Sequence, residues 1–168
     1  MTQPAAQPLS VEDRFAIQDL YANYAWALDT GEVEKFVACF TPDAVVTEEV
    51  FEDPDRWEGT ANLRRMIEHY KGAPGFPGRQ HHISQLQLEG DGRMCGGRAF
   101  AFVTECRGEP PYLLRFAGYY QDRLVKRDAT WLFAERIIRL WDGAVLSRFP
   151  GHGTWRPRVR PPELKIRN

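Results

Sequence analysis

Along the first third of the chain, apolar residues recur at helical spacing. Ile17, Leu20, Tyr21, Tyr24, Ala25 and Leu28 fall on one stripe, the signature of a helix with a single buried face. Ser10 stands before the run and Asp13 three residues later, a capping-box-like start, and Gly31 marks the stop. A second, shorter helix is expected over 32–40, with Val33, Phe36, Val37 and Phe40 on one side. It should end at Thr41-Pro42, because proline disfavours helical geometry in the residue before it. Ala44 to Thr47 reads as a strand, followed by the acidic loop EEVFEDPDRWEG. A third helix over 60–70 presents Leu63, Met66, Ile67 and Tyr70, and GAPGFPG is a loop. Strand-like segments then cover about 80–89, 93–107, 112–126 and 130–141, separated by turn signals such as Gly90-Asp91-Gly92 and Gly108-Glu109-Pro110-Pro111. Helices first and long, shortly connected strands afterwards make an α+β pattern with a curved antiparallel sheet. The stretch from about Phe149 is rich in proline and arginine and has no periodicity, as expected of an arm laid on its own or a neighbouring subunit.

The 168 residues suffice for one domain over 1–168, with its core at about 10–142. No apolar run approaches a membrane span, and the first ten residues lack the basic and apolar regions of a signal peptide. Three cysteines, Cys39, Cys95 and Cys106, without CxxC spacing argue against a disulfide framework or structural zinc and for a cytoplasmic chain. Charge is unevenly spread. Residues 1–60 carry 13 acidic and 3 basic side chains, a net of −10; the remainder carries 19 basic and 10 acidic, a net of +9, and the total is −1. Such segregation is compatible with nucleic-acid binding, yet no nucleic-acid motif accompanies it. Mixing of both halves on one folded surface, or pairing of subunits through them, accounts for it, and no nucleic-acid partner is expected.

No phosphate-binding glycine loop, HExxH or GxSxG motif occurs. His81 and His82 are adjacent and, on a strand, point to opposite faces, so they do not readily share a metal. What remains is Tyr24 on the inner stripe of the first helix, Asp29 at its C-terminal end, the histidine pair on a strand, and Arg136 on a late strand. A carboxylate at Asp29 is near the negative end of the helix dipole and on an inward face, so it needs a cationic or donor partner. Taken singly, each of these residues is more often core, turn or structural than catalytic.

The stretch AIQDLYANYAWALDTGEVEKFVACFTPDAVV, with RQHHISQLQLEGDG and WLFAERIIRLWDG, resembles the SnoaL-like branch of the NTF2-like superfamily. The resemblance implies a cone in which three N-terminal helices pack into a strongly curved sheet with a pocket at its open end. It runs closest to scytalone dehydratase, bile-acid 7α-dehydratase and hexachlorocyclohexane dehydrochlorinase, which pair an aspartate at the end of the first helix with a strand histidine. Asp29 matches that aspartate. Tyr24 matches the pocket tyrosine of the dehydratases, and Arg136 a pocket arginine of the dehydrochlorinase. Ungapped counting from Leu86 to Glu89 places the histidine at His81; simple alternation places His82 on the face of Leu86 and Leu88. A bulge between them would reconcile the two; His81 is preferred, His82 is the alternative, and the other of the pair is expected to be structural.

The resemblance therefore implies a lyase in which His81, oriented by Asp29, removes a C–H proton. Tyr24 would protonate or orient the leaving group, and Arg136 would stabilise negative charge or anchor an anionic substrate. Such chemistry requires no metal and no organic cofactor. Tyr21, Trp26, Trp57, Phe100, Phe102 and Tyr119 are candidates to line an apolar pocket for a small hydrophobic, cyclic or polyketide-like molecule. The alternatives are an isomerase or polyketide cyclase using the same pocket, or a non-catalytic binding module or dioxygenase β-type subunit. A homo-oligomer is expected, a trimer ahead of a dimer, with no membrane association.

Overall fold

Ser10 starts the first helix, α1 (Val11–Thr30), in a computed structural model that describes residues 8–74, 76–106, 108–141, 159, 160 and 162. The Ser10 hydroxyl accepts the Asp13 backbone N–H at 3.1 Å, satisfying one of the donors left open at a helix start. Replacing Ser10 by alanine should lower unfolding stability by about 1 kcal/mol in chemical denaturation, with no change in folded-state spectra. The expected stripe is buried in full, and Gly31 closes the helix at a left-handed φ of 71°. α2 (Val33–Ala38) buries Phe36 and stops earlier than Pro42 requires. Pro42 instead lies inside strand β1 (Phe40–Glu49), where the pairing register breaks between Phe40 and Val45. A residue without an N–H suits such a gap.

The acidic stretch expected as a loop contains a short strand, β2 (Asp55–Glu58), whose one buried residue is Trp57. Four residues with a single apolar side chain give too little alternation to be read as a strand. α3 (Gly59–Lys71) buries Leu63, Met66 and Ile67. The remaining strands are β3 (Arg79–Gly90), β4 (Met94–Glu105), β5 (Leu113–Arg127) and β6 (Thr130–Leu140), in the sheet order β2-β1-β6-β5-β4-β3. All pairs are antiparallel except β1 with β6, which is parallel. Those two strands are separated by 80 residues, 50–129, so no hairpin dictates their relative direction.

Helices α1 and α3 pack on the inner face of the curved sheet, α1 on β3 and β6, α3 on β1 and β2. Close approach of α1 depends on Gly97, where a Cβ would stand 2.5 Å from the Tyr21 hydroxyl. One bulge matters for function. Between Ser84 and Gln87 the β3–β4 register slips, and Gln85 takes a positive φ of 49°. The extra residue reverses the alternation, so His81 and Ile83 before it share the inner face with Leu86 and Leu88 after it.

The acidic and basic halves interlock. Lys126 pairs with Asp13, Arg139 with Glu49, and Arg160 with Asp53 and Asp55 while stacking on Phe51. Most of the arm expected from Phe149 lies outside the described residues. Among those described, no helix is long and apolar enough to cross a membrane.

Candidate active site

Asp29 ends the inner stripe of α1 directly opposite the start of β3. Its Oδ1 lies 2.5 Å from His81 Nδ1, and its Oδ2 accepts the His81 backbone N–H at 2.6 Å. Both oxygens thus meet donors, which offsets the unfavourable position at the helix C-terminus. A carboxylate only accepts hydrogen bonds, so the neutral imidazole carries its proton on Nδ1 and leaves the Nε2 lone pair unprotonated. Two contacts to one carboxylate fix both the ring and the strand that bears it. The pair is largely enclosed, with side-chain exposures of 10% for His81 and 15% for Asp29. His82 points the other way, exposed, with its Nε2 at 3.0 Å from the Thr104 hydroxyl.

His81 forms part of the wall of a cavity of about 140 Å³, the size that holds one benzene-like ring. Leu28, Val50, Phe51, Met66, Val103, Phe116 and Ile138 make its apolar wall, and Tyr24, Glu48, Tyr70, Arg79, Arg115 and Tyr120 supply the polar groups. Burial pushes the Tyr24 phenol above its ordinary range, so it stays protonated and able to donate. Glu48 accepts from the Trp57 indole at 2.9 Å and the Tyr70 hydroxyl at 2.6 Å. Burial nevertheless outweighs those two donors and raises the Glu48 carboxyl above its usual value.

Arg136 does not line this cavity. It is fully buried and binds Asp122 through Nε and Nη2, both at 2.8 Å, with the Tyr21 hydroxyl also donating to Asp122. Burial alone would weaken its charge, but the adjacent Asp122 outweighs that and holds the guanidinium protonated. The guanidinium carbon lies 4.1 Å from the Tyr24 ring centroid and 4.3 Å from that of Tyr120. The expectation of an anion anchor at Arg136 is therefore corrected: its charge is neutralised by Asp122, and it supports the back of Tyr24.

The six residues expected to line the pocket also lie elsewhere. Tyr21 is tied to Asp122, and Trp57 sits behind the wall on Glu48. Trp26 is 72% exposed on the outer side of α1. Phe100, Phe102 and Tyr119 are partly exposed, Phe100 and Tyr119 packing edge-on against Trp141. The reason is strand parity: on β4 the inward residues are Ala99, Ala101 and Val103, and on β5 Gly118 and Tyr120.

Glu48, Tyr70, Arg79 and Arg115 were not singled out by sequence reasoning. A signal existed for two. Ala44, Val46 and Glu48 alternate inward along β1, and Arg79 stands two residues before His81 on the same face.

A family model described as SnoaL-like domain matches residues 9–137. Among solved structures, an aspartate-to-asparagine variant of Rv3472, a Mycobacterium tuberculosis protein of unknown function, is similar with a TM-score of 0.69. It is 26% identical, over 83% of this chain and 78% of that one. An NTF2-like protein with a cystatin-like fold from Novosphingobium aromaticivorans gives a TM-score of 0.73 at 20% identity, covering 82% of this chain and 88% of that one. A candidate scytalone dehydratase from the same species gives 0.66 at 23% identity, covering 77% and 85%. The latter two bear on the fold alone. No curated protein matches the sequence.

Proposed function

The chain belongs to the SnoaL-like domain family, and on that premise we propose that it is a cofactor-independent lyase of the dehydratase type acting on a small cyclic substrate. The observation that carries the reading is the doubly bonded Asp29–His81 pair in the wall of a mostly apolar, ring-sized cavity. His81 Nε2 removes a proton from carbon next to an activating carbonyl, and the C–H electrons form the new double bond. The C–O bond to the hydroxyl on the next carbon breaks, its bonding pair leaves with the oxygen, and the departing group takes a proton from Tyr24 to leave as water. The imidazolium is stabilised by Asp29, and its proton returns to Tyr24 through solvent. An imidazole oriented in this way, with Nε2 free to accept a proton, favours a catalyst over a plain binding module.

The experiment is to incubate the protein with a panel of β-hydroxylated cyclic ketones and follow product mass. Loss of one water supports the lyase; an altered product of unchanged mass supports an isomerase or cyclase using the same base. No change with any compound, while a ligand stays bound, overturns both. On a substrate that turns over, Tyr24→Phe should lower kcat by on the order of 10²–10⁴-fold with KM little changed, since it removes the acid and keeps the ring. Unaltered kcat would take the acid role away from Tyr24.

A further inference from the structure

We propose that Arg79 anchors a carboxylate of the substrate, so that the natural ligand of the cavity is a ring carboxylic acid rather than a neutral ring. The inference rests on the lyase reading of the same cavity, because it fixes where the substrate's charge lies relative to the base. Arg79 lines the cavity and is half-buried; its backbone N–H donates to the Phe76 carbonyl at 3.1 Å, yet among the described residues its side chain has no hydrogen bond and no ion pair. Its Nε is buried without a partner, and its guanidinium carbon lies 5.6 Å from the Tyr70 ring centroid. The other charged groups nearby are committed. Arg115 donates to the buried Glu105 at 2.5 Å, Asp29 has both oxygens on His81, and Glu48 holds two donors and is pushed toward its neutral form by burial. Among the described residues Arg79 is thus the cavity cation with no carboxylate in ion-pair contact. Burial and the like charge of Arg115 disfavour its charge, Asp29 and Glu48 favour it only from a distance, and a partly desolvated charge gains from a direct partner. A guanidinium is the group best shaped to take a carboxylate.

Register sets the length of the ligand. Arg79 and His81 lie two residues apart on the inner face of β3, roughly 7 Å along the strand. A carboxylate on one and the reacting C–H on the other are separated by about the breadth of one six-membered ring, which agrees with the cavity volume. Once His81 has taken the proton, its charge is met by Asp29, and Arg79 still faces the substrate's anion.

Titration calorimetry with benzoate and with benzyl alcohol, one ring each, tests the anchor without turnover. The wild-type chain should bind benzoate more tightly than benzyl alcohol. Arg79→Gln should weaken benzoate by on the order of 10–100-fold, as for loss of a charged hydrogen-bonded pair, and leave benzyl alcohol unchanged. Arg79→Lys should recover part of the affinity, separating lost charge from a damaged fold. Equal binding of the two rings, no benzoate binding, or benzoate affinity untouched by Arg79→Gln overturns the proposal. Displacement of benzoate by an equal concentration of inorganic phosphate overturns the carboxylate class in favour of any small anion. If ring alcohols lose water and Arg79→Gln leaves their KM and that of the matching hydroxy acids unmoved, the anchor falls and the lyase stands. If benzoate binding depends on Arg79 but no hydroxylated ring acid loses water, the lyase falls and the anchor stands.

Discussion

Asp29→Asn is expected to leave the protein folded and to lower turnover by on the order of 10⁴-fold, the effect of removing an orienting carboxylate from a base histidine. The asparagine is nearly isosteric, so one atom can still accept the His81 backbone N–H, now 2.6 Å away. That atom must be the amide oxygen. The NH₂ then faces Nδ1, 2.5 Å from the carboxylate in the wild type, and a donor facing Nδ1 forces the proton onto Nε2. The nitrogen directed at the substrate loses its lone pair, and the imidazolium loses its counter-charge. The loss should fall on kcat more than on KM, with unchanged circular dichroism. Full activity in a folded Asp29→Asn protein would falsify the base assignment.

The largest effect on stability is expected at Asp122. This carboxylate receives two bonds from Arg136 at 2.8 Å and one from the Tyr21 hydroxyl, and both charged side chains are fully enclosed. Asp122→Ala strands a buried guanidinium among Tyr24, Tyr120 and Phe133, and leaves the Tyr21 hydroxyl without its acceptor. Urea unfolding should show a loss of about 3–5 kcal/mol. The pair itself contributes far less than that, because desolvation offsets most of the attraction. The double variant Asp122→Leu/Arg136→Met should therefore regain much of the loss. A loss below about 1 kcal/mol for Asp122→Ala would mean that Arg136 finds another partner or reaches water. Since Arg136 packs on the Tyr24 ring, the double variant should also move Tyr24 and reduce activity more than stability.

The elements built on strong periodicity were legible in the sequence. The stripe of α1, its serine cap and its glycine stop appear as read, because local spacing and cap chemistry act within one turn. The long strands were legible to within a few residues for the same reason. Strand β2 was not, since Asp55–Glu58 has one apolar residue and becomes a strand only by pairing with β1. The parallel pairing of β1 with β6 is a long-range choice that no local pattern records.

At the site, the partner that Asp29 required by its place on the helix is His81, and the β3 bulge explains why simple alternation favoured the other histidine. The pocket wall was not legible. Large aromatics such as Phe100, Phe102 and Trp26 are apolar but face outward, while the inward positions of β4 are Ala99, Ala101 and Val103. Size and hydrophobicity do not fix a face; parity does, and one bulge or break changes it. Arg136 had the right type and strand for a pocket cation, but the cross-strand neighbour Asp122 decided its role. Arg79 lacked any motif, and its meaning comes only from the absence of a partner among the described residues.

The central claim is that His81 presents an unprotonated Nε2 to the cavity while Asp29 holds its Nδ1 proton. Nitrogen-15 NMR of the histidine rings, recorded where the imidazole is neutral, reads this directly. The account predicts that His81 is the Nδ1–H tautomer, with a strongly hydrogen-bonded ring proton far downfield, and that Asp29→Asn reverses it. An Nε2–H tautomer in the wild-type protein, or a ring proton indifferent to Asp29→Asn, would contradict it.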